Sequence, residues 1–486
     1  MFAELFLELA HQKSRLPLRH DKTPIPIHFM KYKKSPLLFL VTLGLSAPAL
    51  YAQTIYWDGA DSASWATLGN WSTAAGATTP NPAAAPGAAN DVVFHISTVN
   101  ATRTMIFGNG YNPAAKSITF RSTGTFTMNG NVSAASGNRT LTIGSGGISK
   151  TSTSGVVNIN GNTASGATGT GVITVALASS SSQTWSNAST TTALNIGTTL
   201  LGTNAAAVVS LGANTLTLDG DGNFNFGISG AANNVVTGAT GSLIKNGAGT
   251  LTINSRTNYG GTTTISGGKL TLAGTGSIAN SPSIIVGAST TFDVSGVTGG
   301  YTLGASQTLS GSGTVTGAMI VSGTLSPGNS PGIMTTGSQT WANGADYNFQ
   351  MLDATGTAGT GYDQIAITGT LNLSDLTAGG FGINIWSLSS TGPDVSGNAL
   401  NFNNSIDQSW TILTTTEGIT GFDAGDFLIN VDAMNGTNGF SNALGGGVFS
   451  LSATPNNLIL NYTAVPEPNA ALLGSLSILA LLRRRR

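Results

Sequence analysis

The sequence predicts an all-β protein built as a β-solenoid, and three observations predict it. Short apolar or Thr-rich runs alternate with Gly, Asn and Ser turns at a spacing of about ten residues, with almost no helical periodicity. Similar strand signals recur weakly about every 20 residues, as stacked coils require when a lone coil cannot bury its inward face. Charged residues make up only 8% of the 486, against roughly 25% in an ordinary domain, while Gly reaches 66.

The 40% hydrophobic content is spread along the chain, which argues for a folded core, because disordered chains are poor in Val, Ile, Leu and Phe. No cysteine is present, so disulfides, thiolate metal sites and cysteine nucleophiles are excluded. Between Thr54 and Ala464 lie 16 acidic residues and eight basic ones (Arg103, Lys116, Arg121, Arg139, Lys150, Lys245, Arg256, Lys269). That balance disfavours nucleic acid, which needs clustered cations.

Residues 1–29 read as an extension upstream of the true start, because a secretion pattern begins afresh at Met30. Lys31, Lys33 and Lys34 precede an apolar stretch from Leu37 to Leu45, and small residues follow to Ala52. This order is that of a secretory signal over 30–52, with cleavage expected after Ala49 or Ala52. Its apolar core is too short to span a bilayer, which needs about 20 residues.

Residues 54–119 are expected to form an N-terminal β cap and 120–340 the solenoid. Its clearest stretch runs from Gly247 to Leu272. Leu251 and Ile253, Thr263 and Ile265, and Leu270 and Leu272 are pairs two residues apart, each set to one face of a strand. Glycine and asparagine suit the corners, where positive φ is often needed. Residues 341–464, with Tyr362 to Ile367 and Asn457 to Tyr462 as strands, are expected to form a C-terminal β capping domain.

The segment 246–272 resembles the autotransporter-associated β-strand repeat: a glycine-flanked Thr-Leu-Thr strand, an Asn-x-Tyr-x-Gly-Gly-Thr-type turn at Asn258 to Thr262, and the Gly267-Gly268-Lys269-Leu270 strand. The resemblance implies a right-handed parallel β-helix. Tyr56-Trp57-Asp58-Gly59 with Trp65 and Trp71, and Ser326-Pro327-Gly328-Asn329-Ser330-Pro331-Gly332, also look like proteins of this kind. No translocation barrel of the autotransporter type is expected: about 120 residues follow Thr340 before the tail, and the chain does not close on a barrel strand with an aromatic end.

The tail, 465–486, reads Val465-Pro466-Glu467-Pro468, then an apolar run over 470–482, then Arg483, Arg484, Arg485 and Arg486. Prolines break a strand, and terminal arginines favour the cytoplasmic face of a bilayer. A 13-residue helix reaches about 20 Å, short of a hydrocarbon core near 30 Å, so a transient transmembrane anchor fits better than a permanent one. This tail resembles the PEP-CTERM sorting signal. The resemblance implies the secretion machinery and an exosortase-type sorting enzyme as partners, transient retention at the inner membrane of a Gram-negative cell, and processing near Pro466 to Pro468.

Candidates for chemistry are sparse, and no catalytic residue, metal or cofactor is expected. His95 is the lone histidine after the signal and sits in a strand pattern. Asp219-Gly220-Asp221-Gly222-Asn223 has the outline of a calcium loop, but no glutamate follows at its twelfth position and Asp-Gly is an ordinary turn. Asp423 with Asp426, and Asp346 with Asp353, are acid pairs whose spatial separation a glycosidase would have to fix. The expected function is therefore that of a structural or adhesive protein of the cell surface or extracellular matrix, with extracellular polysaccharide as a partner. The alternatives are a carbohydrate-active enzyme, a polysaccharide lyase or hydrolase, on a β-helix, or a glycan-binding module using Trp341, Trp386 or Trp410, which in the core would serve packing instead.

Overall fold

The computed structural model describes residues 53–465 except 60–61, 96–102, 108–109, 131–137, 162–171, 199–206, 232–233, 329, 390–393 and 434–436. Beyond 465 it describes Ile478 and Arg483. The expected extension and signal, 1–52, lie outside the described residues. The described chain is all-β, with two short 3-10 turns at Leu68–Asn70 and Ala424–Asp426.

Consecutive strands rotate through three faces, and each pairs in parallel with the strand one coil further on. Ser283–Val286 lies on the first face, Thr291–Val297 on the second and Tyr301–Leu303 on the third; Thr308–Gly311 then returns to the first, directly on Ser283–Val286. The result is a three-sided β-solenoid. Down the first face Leu216, Leu243, Thr263, Ile284, Leu309, Leu325, Tyr347 and Ile383 stand in register, all fully buried. Down the second, Phe224, Leu251, Leu270, Phe292 and Val315 do the same. Each such side chain is worth roughly 1.5–3 kcal/mol on burial, so the stack is held by repetition rather than by a few contacts.

The pairs read from sequence, Leu251 with Ile253 and Leu270 with Leu272, point inward together, and so do Thr263 and Ile265. Tyr259 also turns inward. Its hydroxyl meets Thr263 Oγ1 at 2.6 Å, and Thr263 Oγ1 donates to Ser281 Oγ at 2.8 Å. Such a hydroxyl chain is tolerated in a core only because each member is satisfied; burial accordingly pushes the Tyr259 phenol well up.

The corner after the first face is built from stacked glycines. Gly247 has a φ of +64° and its Cβ would collide with the Gly220 nitrogen, while a Cβ on Gly267 would lie 2.8 Å from the nitrogen of Gly247. Backbones pass too closely there for any side chain. Two lysines close this corner from within. Lys245 Nζ donates to the carbonyls of Asn246, Gly247 (2.9 Å) and Gly267 (3.3 Å). Lys150 Nζ donates to Ser154 O at 3.1 Å, Thr192 O at 3.0 Å and Thr192 Oγ1 at 2.6 Å.

The stacks continue through both regions expected to be caps. Thr54–Trp57, Asp91–Phe94 and Ala114–Phe120 pair in parallel on the first face. Ala345–Met351, Phe381–Ser387 and Phe427–Asn430 extend that face, Gln364–Ile367 and Gln408–Thr415 the second, and Thr370–Asn372 and Gly418–Thr420 the third. Antiparallel pairs appear at the ends. Trp71–Ser72 runs against Thr54–Trp57, where Trp57 and Trp65 meet Trp71 edge-on at 4.9 and 5.0 Å. At the other end Asn457–Thr463 runs against Gln408–Thr415 and Val448–Ala453, beside a cluster of Phe402, Trp410, Phe440, Phe449 and Tyr462.

Coil length varies along the stack. Leu309 and Leu325 are register partners 16 residues apart, whereas Ile383 and Ile429 are 46 apart. The additional residues leave the strands intact and enlarge the corners.

Candidate functional site

Asp219 Oδ1 accepts from Gly220 N at 2.8 Å and from Asn246 Nδ2 at 3.2 Å, and Asn223 Oδ1 accepts from Thr250 N at 2.9 Å. One oxygen each of Asp219 and Asn223 is thus tied to the next coil. Asp423 Oδ1 caps the Gly425 N–H at 2.9 Å and so holds the 3-10 turn containing Asp426. Asp346 accepts from Asn384 Nδ2 at 3.3 Å. Asp353, half-buried and bridged to Leu400, accepts from Thr355 N and Asn401 Nδ2, both at 2.9 Å, and the Asn401 bond leads the effects that lower its carboxyl. His95 follows Asp91–Phe94, its Nδ1 buried without a hydrogen bond. Among the described residues no group of three or more His, Asp or Glu can hold a metal.

Of the sorting residues, Val465 and Arg483 are described and exposed; Pro466, Glu467, Pro468, Arg484, Arg485 and Arg486 lie outside the described residues. Among the described residues no helix is long and apolar enough to cross a membrane.

The three tryptophans part company. Trp341 is fully buried and stacks on Phe381 at 4.1 Å; Trp410 is 2% exposed and donates to Ala354 O at 2.8 Å. Trp386 pairs with Gln350 on the outward side of the first face, between the inward pairs Phe349–Ile385 and Met351–Ser387; it stands apart from the central hydrophobic cluster but is covered down to 9% exposure, so only an edge of the indole reaches the surface. Its Nε1 donates to Ser396 Oγ at 3.0 Å. Leu388 and Ser396 form an antiparallel bridge, which sets Ser396 beside the indole.

Trp386 borders a groove of about 690 Å³ on the first face. The floor is an outward column in register, Ile285, Ser310 and Ser326, with the buried Asn348, whose Oδ1 accepts from Asn384 Nδ2 at 2.9 Å, at its end. Gln350, Asp394 and Ser330 complete the wall. Gln350 Nε2 donates to Asp394 Oδ1 at 2.9 Å, Ser330 Oγ donates to the same oxygen, and Asp394 N donates back to Ser330 Oγ at 3.0 Å. Ser330 and Asp394 both sit at positive φ, +64° and +54°, a conformation costly to side chains other than glycine and held here by their mutual bonds.

Behind the wall lies Asp363, fully buried. Its Oδ1 accepts from Gly332 N at 2.8 Å and its Oδ2 from Gln350 N at 2.9 Å. Burial pushes this carboxyl well above the usual range, the two N–H bonds oppose the rise, and the charge of Asp394 adds to it. The Ser-Pro-Gly pattern thereby gains a physical reason: Gly328, with φ of +95°, passes so close that a Cβ would lie 2.7 Å from Asp363 Oδ1. Gly328 and Gly332 thus both close on a buried carboxyl.

Asp363, Asp394, Gln350 and Asn348 were not singled out by sequence. One signal pointed to Asp363: an acid adjoining the apolar alternation of Ile365 and Ile367, where a charge must be satisfied internally. The groove offers hydroxyls, amides, one carboxylate and an indole edge, and among the described residues no Lys, Arg or His lines it. No protein-family model matches the chain, and no curated protein matches it.

Proposed function

We propose that this chain is an exported structural or adhesive protein of the cell surface or extracellular matrix, a right-handed parallel β-helix carried out by a signal over 30–52 and handed to an exosortase-type enzyme through 465–486. The observation that carries the reading is the pairing of such chain ends with a stack whose outward columns are mainly Thr, Ser and Asn, with few charges. On the second face Asn158, Asn195 and Asn225 form a side-chain ladder, each amide donating to the one before at 2.8 Å. A long, nearly uncharged, hydrogen-bonding surface suits contact with hydrated polymers. Nucleic acid is disfavoured further, since Lys150 and Lys245 are spent inside the stack.

Intact-mass measurement on envelope and medium fractions of the native host, beside a strain lacking the sorting enzyme, tests this. The expected mature chain begins near Gln53 and loses its tail only when the enzyme is present. Cytoplasmic chain with residues 1–52 attached, or identical C-termini in both strains, would overturn it.

A carbohydrate-active enzyme is the competing reading, favoured by two carboxyls, Asp363 and Asp394, beside one groove. Both Asp363 oxygens accept backbone N–H groups, so it serves as an anchor rather than a proton donor. Saccharide release by the wild type that is lost in Asp394→Asn would reverse this assignment.

A further inference from the structure

We propose that the groove beside Trp386 binds a neutral, extended oligosaccharide, laid along the solenoid axis across the rungs carrying Ser310 and Ser326. This deepens the adhesive reading above by giving it a site and a ligand class.

The floor sets the direction. Ser310 and Ser326 project from successive strands in register, and rungs repeat at about 4.8 Å, close to the length of one ring in an extended sugar chain. Small hydroxyl side chains leave room for a ring on each rung and can donate to or accept from its hydroxyls. The cavity, about 690 Å³, falls within the range of roughly 300–1,000 Å³ usual for ligand sites.

The wall sets the chemistry. Asp394 Oδ1 is occupied by Gln350 and Ser330, so Oδ2 is the oxygen offered to a ligand hydroxyl as a charge-assisted acceptor. Trp386 has its one donor satisfied by Ser396 and lends the groove an apolar edge for the C–H side of a ring. With no cation lining the groove among the described residues, and no Lys or Arg from 270 to 482, an anionic glycan would meet Asp394 uncompensated. The ligand class is therefore neutral.

The site is organised before any ligand arrives. Asp363 fixes both Gly332 and Gln350, and the Ser330–Asp394 bonds tie two residues 64 positions apart. Ordering costs that weaken binding to mobile loops are thus already met.

Calorimetric titration of the purified chain with cellohexaose, xylohexaose and mannohexaose, with hexagalacturonate as the anionic arm, tests the assignment. At least one neutral hexamer should bind saturably, and hexagalacturonate should not. Trp386→Phe and Ser310→Tyr should each weaken that binding tenfold or more while circular dichroism is unchanged; Ser310 lies outside the core, so its variant reports on the groove if Trp386→Phe fails to fold. Absence of neutral binding at about 10 mM, binding of hexagalacturonate alone, or full binding by Ser310→Tyr would overturn it. The export reading stands or falls separately, on the location and mass of the chain in its host.

Discussion

The coils between Leu216 and Leu325 and those between Ala345 and Asn430 share the same three faces but use them differently. In the first region the chain returns to its register after as few as 16 residues, and the corners are little more than glycine. In the second, returns of up to 48 residues carry loops that hold Asp394, the bridge between Leu388 and Ser396, and the aromatic cluster of Phe402 and Phe440. The inward columns are mainly apolar in both. A parallel stack stores its stability in strand ladders and inward side chains, so corners can lengthen at the modest cost of loop closure. Plain coils supply length; elaborated ones supply a site.

The widest separation between the regions is expected at their buried polar anchors. Asp363→Ala leaves the N–H groups of Gly332 and Gln350 without acceptors, and should lower stability by about 3 kcal/mol in denaturant unfolding. Exchange protection should be lost around residues 327–332 and kept at Leu251 and Leu270; protection lost equally in both regions would erase the distinction.

The plain coils answer through their lysines. Burial lowers both Lys150 and Lys245 from 10.5 to about 8, with Asp219 partly offsetting the fall at Lys245. Between about pH 8 and 10.5 the unfolded chain holds protons that the folded chain releases, so stability should rise with pH through that window and be flat just below it. Lys245→Met should cost about 1 kcal/mol at pH 7, as three carbonyls lose a donor, and should roughly halve the rise; Lys150→Met with Lys245→Met should abolish it. A double variant retaining the full slope would show that the amines do not titrate there.

The smallest effect belongs to the surface. Lys269 and Asp293 pair at 3.1 Å across adjacent coils. Burial raises the Asp293 carboxyl, but bonds from Ser295 and Lys269 outweigh it and hold it below the usual range. Lys269→Ala should cost about 0.5 kcal/mol, fading in high salt. A loss above 2 kcal/mol in thermal unfolding would mean that the pair supports the stack.

How much of this was readable depended on whether polarity and direction agreed. Leu251, Ile253, Leu270 and Leu272 alternate with threonine, and alternation in a strand is alternation of faces. Lys245 breaks that link: it shares a face with Leu243, so a lysine occupies an inward position that polarity alone would assign to solvent. Trp341, Trp386 and Trp410 carry the same side chain in similar strand contexts, and only the register shows that Trp386 turns outward. The groove was beyond sequence because Ser310, Asn348 and Asp394 meet through pairing and a loop return rather than through proximity in the chain. The glycines at 247, 267 and 328 marked tight passages; what they pass became clear only in three dimensions.

The most direct test of the division between plain and elaborated coils uses one outward column. Thr264 and Ser326 stand in it, connected through Ile285 and Ser310, and only Ser326 lines the groove. Affinity for the neutral hexasaccharides should fall at least tenfold in Ser326→Tyr and stay within twofold of wild type in Thr264→Tyr. Equal losses in both, or a loss confined to Thr264→Tyr, would contradict the account.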